Sequence, residues 1–277
     1  RWMPSPQTPL PARVIVNHVW LRHFGEPLVE TVDDFGLRTK PPAQQLLLDH
    51  LAADFMENGW SFRRLHRLIV TSRAYRLSSS TAGADPKTLA ADPTNQFHWR
   101  MNTRRMEAQV VRDSLLRLAG VLDLARGGPS LNPGDAVRRR SLYFKHSRDQ
   151  QDKFLKTFND ADHLQCYRRS ESIAPQQALA LSNGKVPIEM AGRIADKVAK
   201  EQGSEAPQDE ADREFVKRAF LLLLGREPDA DERRVCEAAL ADLKTAAAEA
   251  GKANPEQRAR RGLVHALLNH NDFVSVR

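Results

Sequence analysis

The strongest constraint in this chain is the period of its apolar residues. They return every three or four positions in one segment after another, the repeat of a helix with one buried face, and almost nowhere alternate as a half-buried strand requires. Between Ala12 and Phe24, Ile15 and Val19 make one apolar row and Val16 and Trp20 a second, before Gly25 and Pro27 close the helix. Arg13, Asn17, Trp20 and Phe24 form a stripe that starts polar and ends aromatic. A second helix is expected from Ala43 to Asn58, with Leu47, Leu51 and Phe55 inward and Asn58-Gly59 placed as a left-handed cap. Ser61 suits the N-cap of a third helix that buries Phe62, Leu65, Leu68 and Ile69 and leaves Arg63, Arg64 and Arg67 as a solvated face.

The same pattern continues to the end of the chain. Asn102 or Thr103 is expected to cap a long helix with Val111, Leu115, Leu118 and Leu122 as its apolar row, and with Arg105, Gln109 and Arg112 on a neighbouring face. A helical piece lies near Phe154 to Phe158, and Pro175 opens another helix that Asn183-Gly184 ends. Four more helices come after it, at Ile188 to Lys200, Asp212 to Leu224, Asp231 to Ala248 and Glu256 to Leu268. Loops are expected at Glu26 to Pro42, at Ser78 to Pro93 and at the Gly/Pro-rich Gly127 to Gly134. The one convincing strand candidate is Arg140 to Lys145, which makes no sheet alone. The fold class is therefore mainly α, a multi-helix orthogonal or bundle architecture with at most a short strand or hairpin near 140–145. Two domains are expected: a helical region over 1–183 carrying long loops, and a helical bundle over 184–277, packed on the first.

With 277 residues and 41% hydrophobic residues the chain can build a real core without staples. No apolar run approaches the roughly 18 to 20 residues of a membrane span. The chain begins at Arg1 rather than Met with no basic-then-apolar leader, so the natural N-terminus is expected upstream. Cys166 and Cys236 belong to no C-x-x-C, haem-attachment or zinc spacing, which excludes a cysteine-based metal site here and leaves either two free buried thiols or one disulfide. The formal charge of +7 and pI near 9.6 favour anionic partners such as acidic polysaccharide, lipid or nucleic acid, although the excess is modest for this length. Nucleic acid has only net charge behind it, since no helix-turn-helix, zinc or RNA-binding signature is present.

Arg13-Val-Ile-Val-Asn17-His-Val-Trp20, His23-Phe24-Gly25, Asp34-Phe35-Gly36, Gly59-Trp60-Ser61, Arg104-Arg105-Met-Glu107-Ala108, Arg112-Asp113 and Gly127-Gly128-Pro129-Ser130 stand in a fixed order. With Arg139-Arg140-Ser141, Asp160, Cys166, Arg168-Arg169, Pro175-Gln176-Gln177, Leu224-Gly225-Arg226-Glu-Pro228 and Asn269-His-Asn-Asp-Phe273, the set resembles the planctomycete domain-of-unknown-function family 1553, the planctomycete-specific domain one family. The resemblance covers nearly the whole chain. It implies the C-terminal part of a large exported, extracytoplasmic protein whose upstream domains are the chain's nearest partners, with no cofactor in this chain and c-type haem on a separate domain. His18 stands where the family has Arg and His50 where it has an aromatic, so neither suits a shared catalytic group.

Several residues could carry chemistry. Asn17, His23, Asp33 and Asp34 could bring an imidazole near carboxylates as a metal or general-base set; the stronger reading is that Asn17 satisfies nearby backbone and Asp34 caps or turns its loop. No metal site is assigned. Glu107, expected in the first turn of the long helix, gains from the helix dipole but loses hydration, and so calls for an arginine partner among Arg104, Arg105, Arg140, Arg168 and Arg169. That network is either structural or an anion clamp. His50 and Asp54 stand four apart on one helix, and Cys166 lies near Arg168 and Arg169; both read more readily as structural. No G-x-S-x-G elbow is present, and the Gly127-Gly128 run lacks the Lys-Ser/Thr of a phosphate loop.

Two functions are open to these residues. The leading one is a helical interaction domain that binds or presents acidic or sulfated polysaccharide, with Arg13, Asn17, Arg105, Arg112, Arg140, Arg168 and Arg169 as its anion or substrate contacts. The alternative is a polysaccharide hydrolase in which Asp34 and Glu107 work with His23, two carboxyl groups facing each other across a cleft.

Overall fold

The computed structural model describes residues 8–162, 164, 172, 174–202 and 208–276. Among them are eleven α-helices and one two-stranded sheet, so the chain is mainly α. It forms two compact units. The first holds the residues up to Arg104, and the second holds most of those from Arg105 onward. The break expected at 183/184 falls inside the second unit, because Val186, Met190 and Ile194 share one apolar core with Val111, Leu115 and Leu116.

The first unit is built on α1 (Leu10–Phe24), α2 (Gln45–Glu57) and α3 (Phe62–Val70), with a short α4 (Pro86–Ala91). Val16, Val19, Trp20 and Phe24 of α1 meet Leu48, Leu51, Ala52 and Phe55 of α2 and Leu65 and Ile69 of α3. Gly25 ends α1 in the left-handed conformation at φ 82°, and its N–H closes on Leu21 O at 2.8 Å. A Cβ at Gly25 would also meet the Arg104 side chain at 3.3 Å, so glycine is needed there for both backbone and space. Ser61 caps α3 by accepting from Arg64 N at 3.3 Å, as its sequence position requires. Only Leu65 and Ile69 of α3 are buried; Phe62 and Leu68, expected inward, are half-exposed. The helix α4 lies within the Ser78 to Pro93 loop and buries no residue, which is why no apolar period announces it.

The second unit contains α5 (Ala108–Leu118), α6 (Lys153–Thr157), α7 (Pro175–Asn183), α8 (Lys185–Gln202), α9 (Gln208–Leu224), α10 (Ala230–Glu249) and α11 (Pro255–Leu268). Helix α11 packs on α8 and α10, and Leu115, Ile194, Phe215, Phe220, Leu240, Val264 and Phe273 fill the space between helices. Each such side chain contributes roughly 1.5–3 kcal/mol on leaving water.

Two expectations change here. The long helix begins at Ala108 rather than near Asn102, because Arg104–Arg105 is extended as strand β1, paired with β2 (Ser275–Val276), and Met106 N–H donates to Val274 O at 2.8 Å. The strand candidate Arg140 to Lys145 is a 3₁₀ turn over Ser141–Tyr143 with a single bridge after it, between Phe144 and Leu131. Asp113 produces the turn: its Oδ1 accepts from both Ser141 N at 2.8 Å and Ser141 Oγ at 2.7 Å, so Ser141 N–H is not available to a ladder.

Candidate functional site

In the first unit the polar stripe of α1 faces its own neighbours. Asn17 is fully buried, and its side-chain amide donates to Val29 O at 3.0 Å while accepting from Val29 N at 2.9 Å, which pins the next loop to the helix. Arg13 Nε donates to Asp49 at 2.6 Å, and Gln45 reaches the same carboxylate at 2.9 Å. Asp34 lies on an exposed turn where its carbonyl accepts from the hydroxyls of Thr31 (2.7 Å) and Thr39 (2.6 Å). Asp54 takes Arg64 through two hydrogen bonds of 2.8 and 3.1 Å, and this pairing holds its carboxyl below the usual range.

His23 meets another histidine. Its Nε2 lies 2.8 Å from Nδ1 of His66 on α3, with the ring planes at 71°, and Tyr75 packs edge-on against it at 5.6 Å between centroids. No hydrogen bond or ion pair joins His23 to Asp34 among the described residues. Burial lowers the pKa of His23, with further push from His66 and Arg104.

The segment that carries His66 is strongly basic. Residues 61–76 contain five arginines, at 63, 64, 67, 73 and 76, and no carboxylate, whereas the rest of 1–104 carries one more acid than base. All five arginines are exposed. Arg64 is neutralised by Asp54, and no ion pair engages Arg63, Arg67, Arg73 or Arg76 among the described residues. Arg63, His66 and Arg67 stand at i, i+3 and i+4 and so share one helix face. Helical spacing alone marks three of these arginines as a solvated face and leaves His66 unmarked; the signal that finds the patch is the absence of any acid over sixteen residues.

In the second unit the motif residues gather where α5 and α7 begin. Arg105 donates to Asn271 Oδ1 at 2.8 Å and to Gln177 Oε1 at 3.1 Å, so its partners are neutral amides. The buried Gln177 passes the chain on to Ser172 O at 3.1 Å, and Ser172 Oγ to Asn159 Oδ1 at 2.9 Å. Glu107 sits at the N-cap of α5 with extended backbone, one position before the first turn, and its side chain does not cap the helix. Gln109 donates to Asp160, whose Oδ2 is 3.8 Å from His146 Nδ1.

Farther along α5, Arg112 is 2% exposed and gives its guanidinium to Arg139 O and Ser141 Oγ, each at 3.2 Å, and to Val137 O. It also stacks over Phe144 at 4.6 Å. Burial lowers its pKa, and the three oxygens and the ring give its charge the partners it lost with water. Arg140 is half-exposed, with its Nε 3.7 Å from Asp113. Arg168, Arg169 and Cys166 lie outside the described residues. Cys236 is a buried free thiol whose pKa burial raises. No three of His, Cys, Asp and Glu come together to hold a metal ion among the described residues.

Residues 1–240 match the model of a family described as PSD1, protein of unknown function (DUF1553). The chain belongs to the PSD1 family. No curated protein and no solved structure matches it. Among the described residues of this PSD1 chain no helix is long and apolar enough to cross a membrane.

Proposed function

We propose that this PSD1 chain is a helical module that binds acidic or sulfated polysaccharide, and that its docking surface is the outer face of α3 with the turn after it. The observation that carries the reading is the run of five exposed arginines over residues 61–76 without a carboxylate. Guanidinium forks match the planar oxygens of sulfate and carboxylate groups through paired N–H donors, and Arg63 and Arg67 present two of them about 6 Å apart along the helix axis. A repeating anionic chain meets such a row at several points, and affinity comes from releasing its counterions.

The context proposed by resemblance is an exported multidomain protein of planctomycete type, in which upstream domains, one of them able to carry c-type haem, act beside this module. The hydrolase alternative asks Asp34 and Glu107 to work with His23. What favours binding is that the imidazole of His23 is hydrogen-bonded to His66, with the Arg104 charge acting on it, and to no carboxylate among the described residues.

Retention of the purified chain on neutral glycan, sulfated glycan and DNA, each at low and at physiological salt, tests the proposal. The expected result is retention on the sulfated glycan alone at physiological salt. Equal, steeply salt-dependent retention on sulfated glycan and DNA would reduce the interaction to net charge and remove the case for a glycan site.

A further inference from the structure

The same face holds a feature that simple charge attraction does not need, the direct contact between two imidazoles. We propose that the His23–His66 pair makes the α3 face a proton-linked anion site: an anion docked on Arg63 and Arg67 draws one proton onto His66, so binding is tighter in mild acid than at neutral pH. The inference rests on the anion-binding reading of α3 and adds its regulation.

The hydrogen-bond geometry supplies the mechanism. In the neutral pair a single N–H bridges His23 Nε2 and His66 Nδ1 at 2.8 Å. Adding one proton to His66 keeps that bridge, because protonated His66 donates Nδ1–H to an unprotonated His23 Nε2 and has Nε2–H left for the anion. His23 suits the acceptor role, since burial disfavours its charged form, and His66 and Arg104 oppose that form further. The exposed ring of His66 is the one open to an incoming anion.

The surrounding charges make the linkage. On α3, Arg63 lies one turn before His66 and Arg67 follows it in sequence, and on α1 Arg22 precedes His23. Arg104, at the end of the first unit, adds a further cation, and the turn after α3 contributes the neutral Tyr75. Among the described residues the charges acting on His23 are His66 and Arg104, with no carboxylate beside them. A docked sulfate or carboxylate favours a positive charge on the exposed ring beside it, and by reciprocity a proton on His66 strengthens the hold on the anion.

Calorimetry of the full chain with a size-defined heparin oligosaccharide, at pH 5.5, 6.5 and 7.5 and constant ionic strength, tests this. Two buffers of different ionisation enthalpy report the protons taken up. Affinity is expected to rise about fivefold to tenfold from pH 7.5 to 5.5, with uptake of roughly 0.4–0.5 proton on binding across that range. His66→Gln should bind within about twofold of the parent at pH 7.5 and lose the rise in acid, and His66→Lys should bind tightly throughout. Unchanged thermal midpoints in both variants confirm that the exposed position leaves the fold intact. Binding with no proton uptake, or a rise in acid that survives in His66→Gln, overturns the linkage and leaves the anion-binding reading standing. Absence of binding at every pH, or binding indifferent to Arg63→Gln/Arg67→Gln, overturns both.

Discussion

Asn17 shows how a polar residue on a buried helix is kept by backbone rather than by ligand. Both halves of its amide are satisfied by one residue, Val29, twelve positions on. Asn17→Ala would strand the Val29 N–H and C=O inside the core, and stability should fall by roughly 1–3 kcal/mol, read as a lower denaturant midpoint with an unchanged slope. Binding of sulfated glycan per folded molecule should be unaffected, because Asn17 reaches no part of the α3 face. Arg112 behaves similarly in the second unit: its guanidinium supplies donors to the backbone of the turn at 137–144 and is 2% exposed. Among the arginines expected to meet anions, Arg13 is bound to Asp49 and Arg105 to two amides.

At the scale of elements, the helices are legible in the sequence because each large core face repeats apolar residues over several turns. Those expected at Asp231 to Ala248 and Glu256 to Leu268 begin and end within one residue of α10 and α11. Local structure fixed by distant partners is not legible in this way. Arg104–Arg105 is extended because Met106 and Val274, 168 positions apart, share a hydrogen bond, and Ser141 turns because Asp113 holds it. The His23–His66 pair spans 43 positions, so no spacing rule brings the two together, whereas Ser61 as N-cap and Gly25 as C-cap act within one turn and are readable.

The turn into α10, which carries the Leu224-Gly225-Arg226-Glu-Pro228 motif, is a charged lock. Arg226 pairs with both carboxylate oxygens of Glu232 at 2.6 Å and with Asp272 at 3.0 Å, while Glu232 also closes a capping box with Asp229. These contacts, the Arg226 hydrogen bond foremost, bring the Glu232 pKa down to about 2 from its ordinary 4.5. A depressed carboxylate pKa contributes stability in full above 4.5, and the contribution fades as pH falls toward 2. Glu232→Gln should therefore be less stable by roughly 1–2 kcal/mol at pH 7, with the gap to the parent closing in acid. A gap that stays constant down to pH 2 would show that the capping geometry, not the charge, supplies the effect.

Over the whole molecule the charge is unevenly spread. Of the formal +7, a +5 block resides in residues 61–76, so net charge and site charge are separable by mutation. The most direct test compares two variants of equal net charge for binding to a sulfated glycan at physiological salt. One carries Arg63→Gln, Arg67→Gln and Arg73→Gln on the α3 face. The other carries Arg193→Gln, Arg213→Gln and Arg234→Gln, which sit in exposed ion pairs elsewhere. A shaped site on α3 predicts a loss of at least tenfold in the first and less than about threefold in the second, since each removed contact to a polyanion weakens binding by a multiplicative step. Equal losses in the two variants would contradict it, leaving the arginines of α3 as solvated charge.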